Sequence, residues 1–469
     1  MKTVPCLRLG NSLALDGSGA QRPLLLPAHH LVTHGVIVGM TGSGKTGLLT
    51  VLVEETLRNH IPVLMIDVKG DLPDLLLAFP SFESSAFVPW MGDGAAPGDD
   101  RSPESLARTL ATEREQGLRA WGIEEADLRA FRESTAIRVI TPGSTAGEPL
   151  HVLSSLEQRS ARWDSDPEAA RAALAAAVSL VLRLLGRDAD PARSREHVLL
   201  SVLAERRLRA GQNADLAALL EDLAQPPIEK IGALKLDAFL PKSERRTLAA
   251  ALNGLLASPS FESWRSGAPI DVGSWLTPVE TNGVRKTPAV IVSVAHLDDE
   301  ERSLVLGVIL EELLAWTRSL PGSQRLRALC VFDEVYGFVP PHPANPPTKR
   351  PLVSLMKQSR AFGVGVVLAT QTPMDLDYRA LGNAGVWCLG RLQTDADRAR
   401  VIDGLAANDA NLGRTLGATV QRLLPRWFVM RDVHAESAVT LLQPRWAMSW
   451  LRGPMTRGEL KRARGPGEL

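Results

Sequence analysis

The stretch HGVIVGMTGSGKTGLLTVLVEETLRN, His34 to Asn59, decides the fold. Its first residues are apolar without alternation, as in a strand buried on both faces. A glycine-rich turn follows, and from about Lys45 to Asn59 apolar residues recur at helical spacing. The next segment, IPVLMIDVKGD, carries a second buried strand from Pro62 to Asp67. Strand, crossover helix and strand make a βαβ unit, which requires a parallel sheet covered by helices.

The turn itself, Gly39-Met40-Thr41-Gly42-Ser43-Gly44-Lys45-Thr46, fits GxxxxGK(S/T) in full. Its glycines let the backbone curl until several N–H groups point at one phosphate, and the following helix adds its positive end. Lys45 supplies a compact ammonium for the β- and γ-phosphates, and Thr46 offers a hydroxyl to Mg²⁺. The chain holds 43 Arg but only 10 Lys, so a lysine here answers a need for a point charge rather than a planar fork. A chance match is the competing explanation, and the strand before and helix after count against it. Residues 39–46 are expected to bind a nucleotide.

Outward from this unit the chain divides. From about Asp71 to Gly283 strand signals are few and Ala/Leu/Arg/Glu-rich segments recur, giving a mainly helical insertion, residues 71–283. One strand is expected within it, at Ala136–Thr141, and the Gly/Pro/Asp loop Gly92–Pro103 is expected to be mobile. The α/β pattern then resumes. AVIVSVAHL, RALCVFDE, VGVVLATQ and VWCLGRL read as strands, DDEERSLVLGVILEELLAWTRSL as a helix, and Leu352–Phe362 as another. LRLGNSLALDG at the start, and WFVMRDV with AVTLLQPRW near the end, read as hairpins. The expected fold class is α/β: a nucleotide-binding core from residues 1–70 and 284–446, the helical insertion, and a basic tail, 447–469, with a short helix.

In a parallel sheet ligands gather at the carboxyl ends of the strands. RALCVFDE ends in two acids. Asp333 can hold Mg²⁺ through water or Thr46, and Glu334 can polarise an attacking water. A strand end with two solvated acids is the bland alternative. Gln371 closes VGVVLATQ, where a neutral amide can orient that water or sense the γ-phosphate; a plain polar terminus is the alternative. Asp67 and Lys69 should lie near the same edge, Asp67 either positioning Glu334 or Mg²⁺ or serving the structure alone.

Composition narrows the class. The 469 residues are 45% apolar and 23% charged, the balance of a folded chain rather than a disordered one. Lys+Arg and Asp+Glu both number 53, which excludes a histone-like coat but not a local basic lining. Three cysteines cannot form a disulfide framework and suit a reducing cytosol. The start, MKTVPCLRLG, lacks an apolar leader run, and the most apolar helical stretch, from Ala172, is interrupted by Arg183. A cytoplasmic location with no membrane contact is expected. His29, His30 and His34 are not expected to bind metal, because no Cys, Asp or Glu lies nearby in sequence.

Together HGVIVGMTGSGKT, MIDVKGDLPDLLLAF, VFDEVYGFVPPHPANPP and KQSRAFGVGVVLATQTPMDLDYRALGNAGVWCLGRLQTDADRARV resemble the HerA/FtsK superfamily of P-loop ATPases, in its HerA-like branch. The resemblance implies a RecA-like ATPase, with ATP and Mg²⁺, that assembles as a homo-oligomeric ring, usually a hexamer, and translocates or unwinds DNA. By motif position Lys45 and Thr46 take the Walker A role, Asp333 and Glu334 Walker B, and Gln371 the sensor. It also implies an arginine reaching a neighbour's γ-phosphate, with Arg360 the first choice and Arg391 the second. Between Lys349 and Arg400 eight basic residues oppose four acids, a weak sign of DNA binding. The loop VPPHPANPPTKRP either presents Lys349 and Arg350 to a pore or neighbour, or is a rigid connector. The alternative is a non-motor regulatory ATPase that assembles with or licenses a partner such as a nuclease. A kinase-like phosphotransferase is a third reading, against which the paired acids favour water as acceptor.

Overall fold

The computed structural model describes residues 4–464 apart from 92–100, 282, 374–375, 378–379, 381, 393, 407–409 and 436–438. Most of the loop expected to be mobile, and the last residues of the tail, therefore lie outside the described residues. One twelve-stranded sheet organises the chain. Its strands are β1 (Cys6–Leu13), β2 (Arg22–Pro27), β3 (Gly35–Val38), β4 (Val63–Asp67), β5 (Thr135–Ile140), β6 (Val279–Thr281), β7 (Val284–Ser293), β8 (Ala328–Asp333), β9 (Val364–Thr370), β10 (Val386–Leu389), β11 (Phe428–Asp432) and β12 (Val439–Pro444). Four helices matter below: α1 (Lys45–Arg58), α2 (Pro103–Arg119), α3 (Pro167–Leu184) and α4 (Asp299–Ser319).

The central block runs β5-β7-β4-β8-β9-β3-β10, every pair parallel. It is the parallel, helix-covered core expected from the βαβ opening, in the RecA-like form that the resemblance implies, with a mainly helical insertion. Register aligns the carboxyl ends: Asp67 stands opposite both Ser293 and Asp333, and Val38 opposite both Thr370 and Leu389. Period-two alternation then sorts the side chains. Val36, Val38, Leu64 and Ile66 pack with residues of α3 and α4, whereas Ile37, Val63 and Met65 pack with Leu48, Leu49 and Leu52 of α1. Both faces are covered, so β3 and β4 are buried throughout. The helices start where their side chains permit. Asp298 and Glu301 form a capping box before α4, and Asp166 accepts from the Ala169 N–H ahead of α3, with Pro167 in the first turn.

Two features depart from the expected plan. The opening hairpin is not separate: β1 pairs with β12 as well as β2, so both hairpins form one antiparallel wing, β10-β11-β12-β1-β2. The strand expected near Ala136 also joins the main sheet, as β5 beside β7, because Ile137 and Val139 bury with the α1 side of the core. VWCLGRL is strand only as far as Leu389, and the Gly390 N–H still donates to Val38 O (2.7 Å). Helices Asp395–Ala406 and Ala410–Arg422 follow, in a stretch where no element was expected. No helix among the described residues is long and apolar enough to cross a membrane.

Candidate active site

The backbone of residues 39–46 is laid across the ends of its neighbours. Gly39 N–H donates to Thr370 O (3.2 Å), Met40 N–H to Arg391 O (2.8 Å), and Thr41 Oγ1 to Gln371 Oε1 (2.8 Å). Gly44 takes φ 96°, a left-handed value glycine adopts at little cost, just before α1 begins. A Cβ on Gly39 would fall 2.5 Å from Ser43 Oγ, so a larger residue there would have to displace the Ser43 side chain. Lys45 Nζ donates to Gly39 O at 2.5 Å and to Met40 O at 3.4 Å. Burial lowers the Lys45 ammonium, and Lys69 adds to the effect, while Glu334 and Asp333 oppose it. Gln371, which accepts from Thr41 Oγ1 and donates to Glu334, sets that acid beside the loop.

Glu334 follows β8 with φ 58°, a left-handed conformation that typically costs about 1–3 kcal/mol in a non-glycine residue. Its carboxylate is gripped from three directions. Oε2 accepts from Lys69 Nζ (2.7 Å) and Gln371 Nε2 (2.8 Å), and Oε1 accepts from the Gln371 N–H (3.2 Å). Burial acts to raise this carboxyl, but the Lys69 bond and charge and the two Gln371 bonds outweigh it, leaving it below the usual range. A continuous chain Lys69–Glu334–Gln371–Thr41 thus ties the acid to the loop.

Asp333 is different. It is buried, and neither carboxylate oxygen has a hydrogen-bond partner among the described residues. Burial pushes its carboxyl up to about 6. An uncompensated buried carboxylate fits a cation. Among the described residues no group of three or more His, Cys, Asp or Glu could hold a metal. That donor set suits Mg²⁺, which takes one or two protein oxygens and completes its shell with phosphate oxygens and water.

Asp67, opposite Asp333 in register, spends its oxygens elsewhere. Oδ1 accepts from the Gly70 N–H (2.8 Å) and the Lys69 N–H (3.3 Å), and Oδ2 from Ser293 Oγ (2.8 Å). Burial raises its carboxyl against those bonds. It fixes the turn that carries Lys69 to Glu334.

The two arginines separate. Arg391 lies beside its own loop, with an exposed side chain. Arg360 lies in the turn before β9, at the amino ends of the strands, a whole seven-residue strand from Thr370. There it borders a cleft with His29, His30, His434 and Lys357. His30 Nδ1 lies 2.7 Å from Asp432, and His34 Nδ1 accepts from the Val366 N–H (3.2 Å). Lys349 is buried, donating to Ala344 O (3.0 Å) and pairing with Asp377 (3.2 Å), so it staples the Pro-rich loop rather than pointing outward.

Two neighbours of the loop carry no sequence signal. The Arg426 N–H donates to Ser43 O (2.9 Å), and its guanidinium carbon lies 5.2 Å from the centre of the Trp446 ring. Both sit far along the chain: Trp446 closes a segment read only as a hairpin strand, and Arg426 stands just before the other. Lys69 was placeable near the edge, but its hold on Glu334 was not.

Residues 14–79 match the model of the helicase HerA-like C-terminal family. No curated protein matches the chain. Among solved structures, the bacterial conjugative coupling protein TrwBdeltaN70, in a trigonal form with sulphate, aligns with TM-score 0.50 and 13% identity, over 97% of this chain and 98% of that one. VirB4 of Thermoanaerobacter pseudethanolicus aligns with TM-score 0.49 and 13% identity, over 95% and 97% of the two chains. The plasmid coupling protein TrwB with ADP and Mg²⁺ gives TM-score 0.49 and 13% identity, over 92% and 89%.

Proposed function

We propose that this chain, whose residues 14–79 match the helicase HerA-like C-terminal family, is a HerA/FtsK-type P-loop ATPase: an ATP-hydrolysing, ring-forming motor that translocates or unwinds DNA. The observation that carries the reading is the chain Lys69–Glu334–Gln371–Thr41, which joins a partly buried carboxylate to the phosphate loop beside the unpartnered Asp333. Residues 39–45 hold the phosphates of ATP, and Asp67 braces the same edge. Thr46 and Asp333 would hold Mg²⁺, which when bound supplies positive charge to the phosphate oxygens. Glu334 takes a proton from the water whose oxygen attacks the γ-phosphorus, and Gln371 orients that water. The bond to the bridging oxygen breaks, and its electrons leave on ADP.

Arg360, barred from its own site by its position at the far edge of the sheet, is assigned to the γ-phosphate of a neighbouring copy; Arg391 is the second choice. In this reading residues 1–70 and 284–446 form the ATPase core, joined by the strand β5 from the mainly helical insertion 71–283, and 447–469 form the tail. The assembly is a six-membered cytoplasmic ring.

The test is ATP turnover with and without duplex DNA, together with mass measurement with and without ATP. DNA-stimulated hydrolysis, lost in Lys45→Ala and Glu334→Gln, and ATP-dependent assembly are expected. Turnover indifferent to DNA sinks the motor reading. It would favour a regulatory ATPase that licenses a partner such as a nuclease, for which one observation speaks: α2, from the insertion, borders the start of α1. A partner docked there lies within reach of the nucleotide.

A further inference from the structure

Beside the phosphate loop a cavity of ≈ 320 Å³ opens between α1, α2 and the segment Pro444–Leu451. It starts at Gly44 and Gly47, on the first turn of α1, and runs outward past Trp446, Leu451, Arg426 and Glu113. We propose that this cavity receives the base and ribose of the bound nucleotide, and that the Arg426 guanidinium, laid on the Trp446 indole, is the platform on which the base stacks. The proposal rests on reading residues 39–46 as the phosphate site, and it names the residues that grip the rest of the molecule.

Position comes first. A triphosphate seated with its outer phosphates at Lys45 leaves the loop past the first helical turn. That turn is open on this side: at Gly47 an added Cβ would meet only Leu451 Cδ1, at 3.8 Å. The cavity is therefore continuous with the loop.

Chemistry comes second. The walls are mostly apolar and aromatic with a few polar groups, the lining a flat heterocycle prefers. A guanidinium over an indole offers a second flat face of its own, and the pair is held by attraction between cation and ring. Glu113, exposed at the rim on α2, offers acceptor oxygens to an amino group of the base.

Preorganisation comes third. Arg426 is pinned by its N–H to Ser43 O, inside the phosphate loop, and holds φ 64° although it is not glycine. Burial lowers its guanidinium below the usual arginine range. Trp446 is seated on α2 at Gly117, where a Cβ would fall 2.4–2.6 Å from ring carbons. Its neighbour Arg445 is anchored to α1 through Glu54 (2.9 Å) and Glu55 (3.0 Å). Platform and phosphate loop are thus fixed to the same helix.

The experiment is calorimetric titration of the full chain with ATP and with inorganic tripolyphosphate, each with Mg²⁺. Trp446→Ala and Arg426→Ala are expected to weaken ATP about ten-fold or more while tripolyphosphate stays within about two-fold of wild type. Trp446→Phe, which keeps a ring, should stay near wild type. Arg426→Ala removes an exposed side chain outside the apolar core, and so decides the matter if Trp446→Ala fails to fold. Equal losses for both ligands, or no loss for either in Arg426→Ala, overturn the platform. Lys45→Ala must weaken both ligands; if it weakens neither, the phosphate-loop reading itself falls.

Discussion

Lys69 acts at the end of β4 as the cation that holds Glu334 in a conformation its backbone would not choose alone. Lys69→Met is expected to lower kcat by about ten-fold or more with KM for ATP little changed, because it releases the water-facing acid but leaves Lys45 in place. Steady-state kinetics read the split; a rise in KM at constant kcat would contradict it. Which residues were legible at this scale follows from how they are specified. Lys45, Asp333, Glu334 and Gln371 lie where apolar runs end, and a parallel sheet brings such ends to one edge, so their placement could be read locally. Arg426 and Trp446 could not be read this way. Their position depends on the antiparallel wing folding back over α1, and nothing in their own neighbourhood announces it.

At the scale of elements, the segment after β12 is clamped to α1 by a buried ionic knot. Arg445 donates to Glu54 and Glu55, and Glu54 also accepts from the N–H groups of Met448 and Ser449. Arg445→Ala leaves the buried Glu54 without its cation, while Glu55 keeps Arg58 (2.9 Å), and should lower unfolding free energy by about 3–5 kcal/mol in urea titrations. A second clamp is sensitive to pH. Asp74, in the short helix Leu72–Leu77, accepts from the Gly453 N–H (2.9 Å) with one oxygen and leaves the other unpartnered. Burial pushes its carboxyl up to about 7, whereas in the unfolded chain it titrates near the ordinary aspartate value of 3.8. Between those values the folded chain binds the extra proton, so this group's contribution to stability falls as pH rises through the window and levels off above it. Asp74→Asn keeps the acceptor and removes the charge, so its gain in Tm should be larger at about pH 8 than at about pH 5. A gain independent of pH would refute the assignment.

On the scale of the whole molecule the sheet has two working edges, one carrying the phosphate loop and the other Arg360. A residue on the second edge can serve catalysis only through a neighbouring copy. Mixing Arg360→Ala with Glu334→Gln subunits should therefore restore turnover absent from either alone, up to about a quarter of wild type for random assembly in equal amounts. No recovery on mixing would remove Arg360 from the mechanism. The parallel block apart from β5 was readable because each of those strands carries a continuous apolar run. The antiparallel wing was not, since the pairing of β1 with β12 spans almost the entire chain and leaves no local trace. That pairing sets a timetable for the nascent polypeptide. Strand β3, which leads into the glycine turn, waits for β9 and β10 to emerge from the ribosome, and β1 waits longer still for β12. At roughly 5–20 residues per second the delay is tens of seconds, during which the first hairpin offers an unpaired edge. Biogenesis of this protein should lean on chaperones that shield early strands, and ATP can help only after translation is nearly finished.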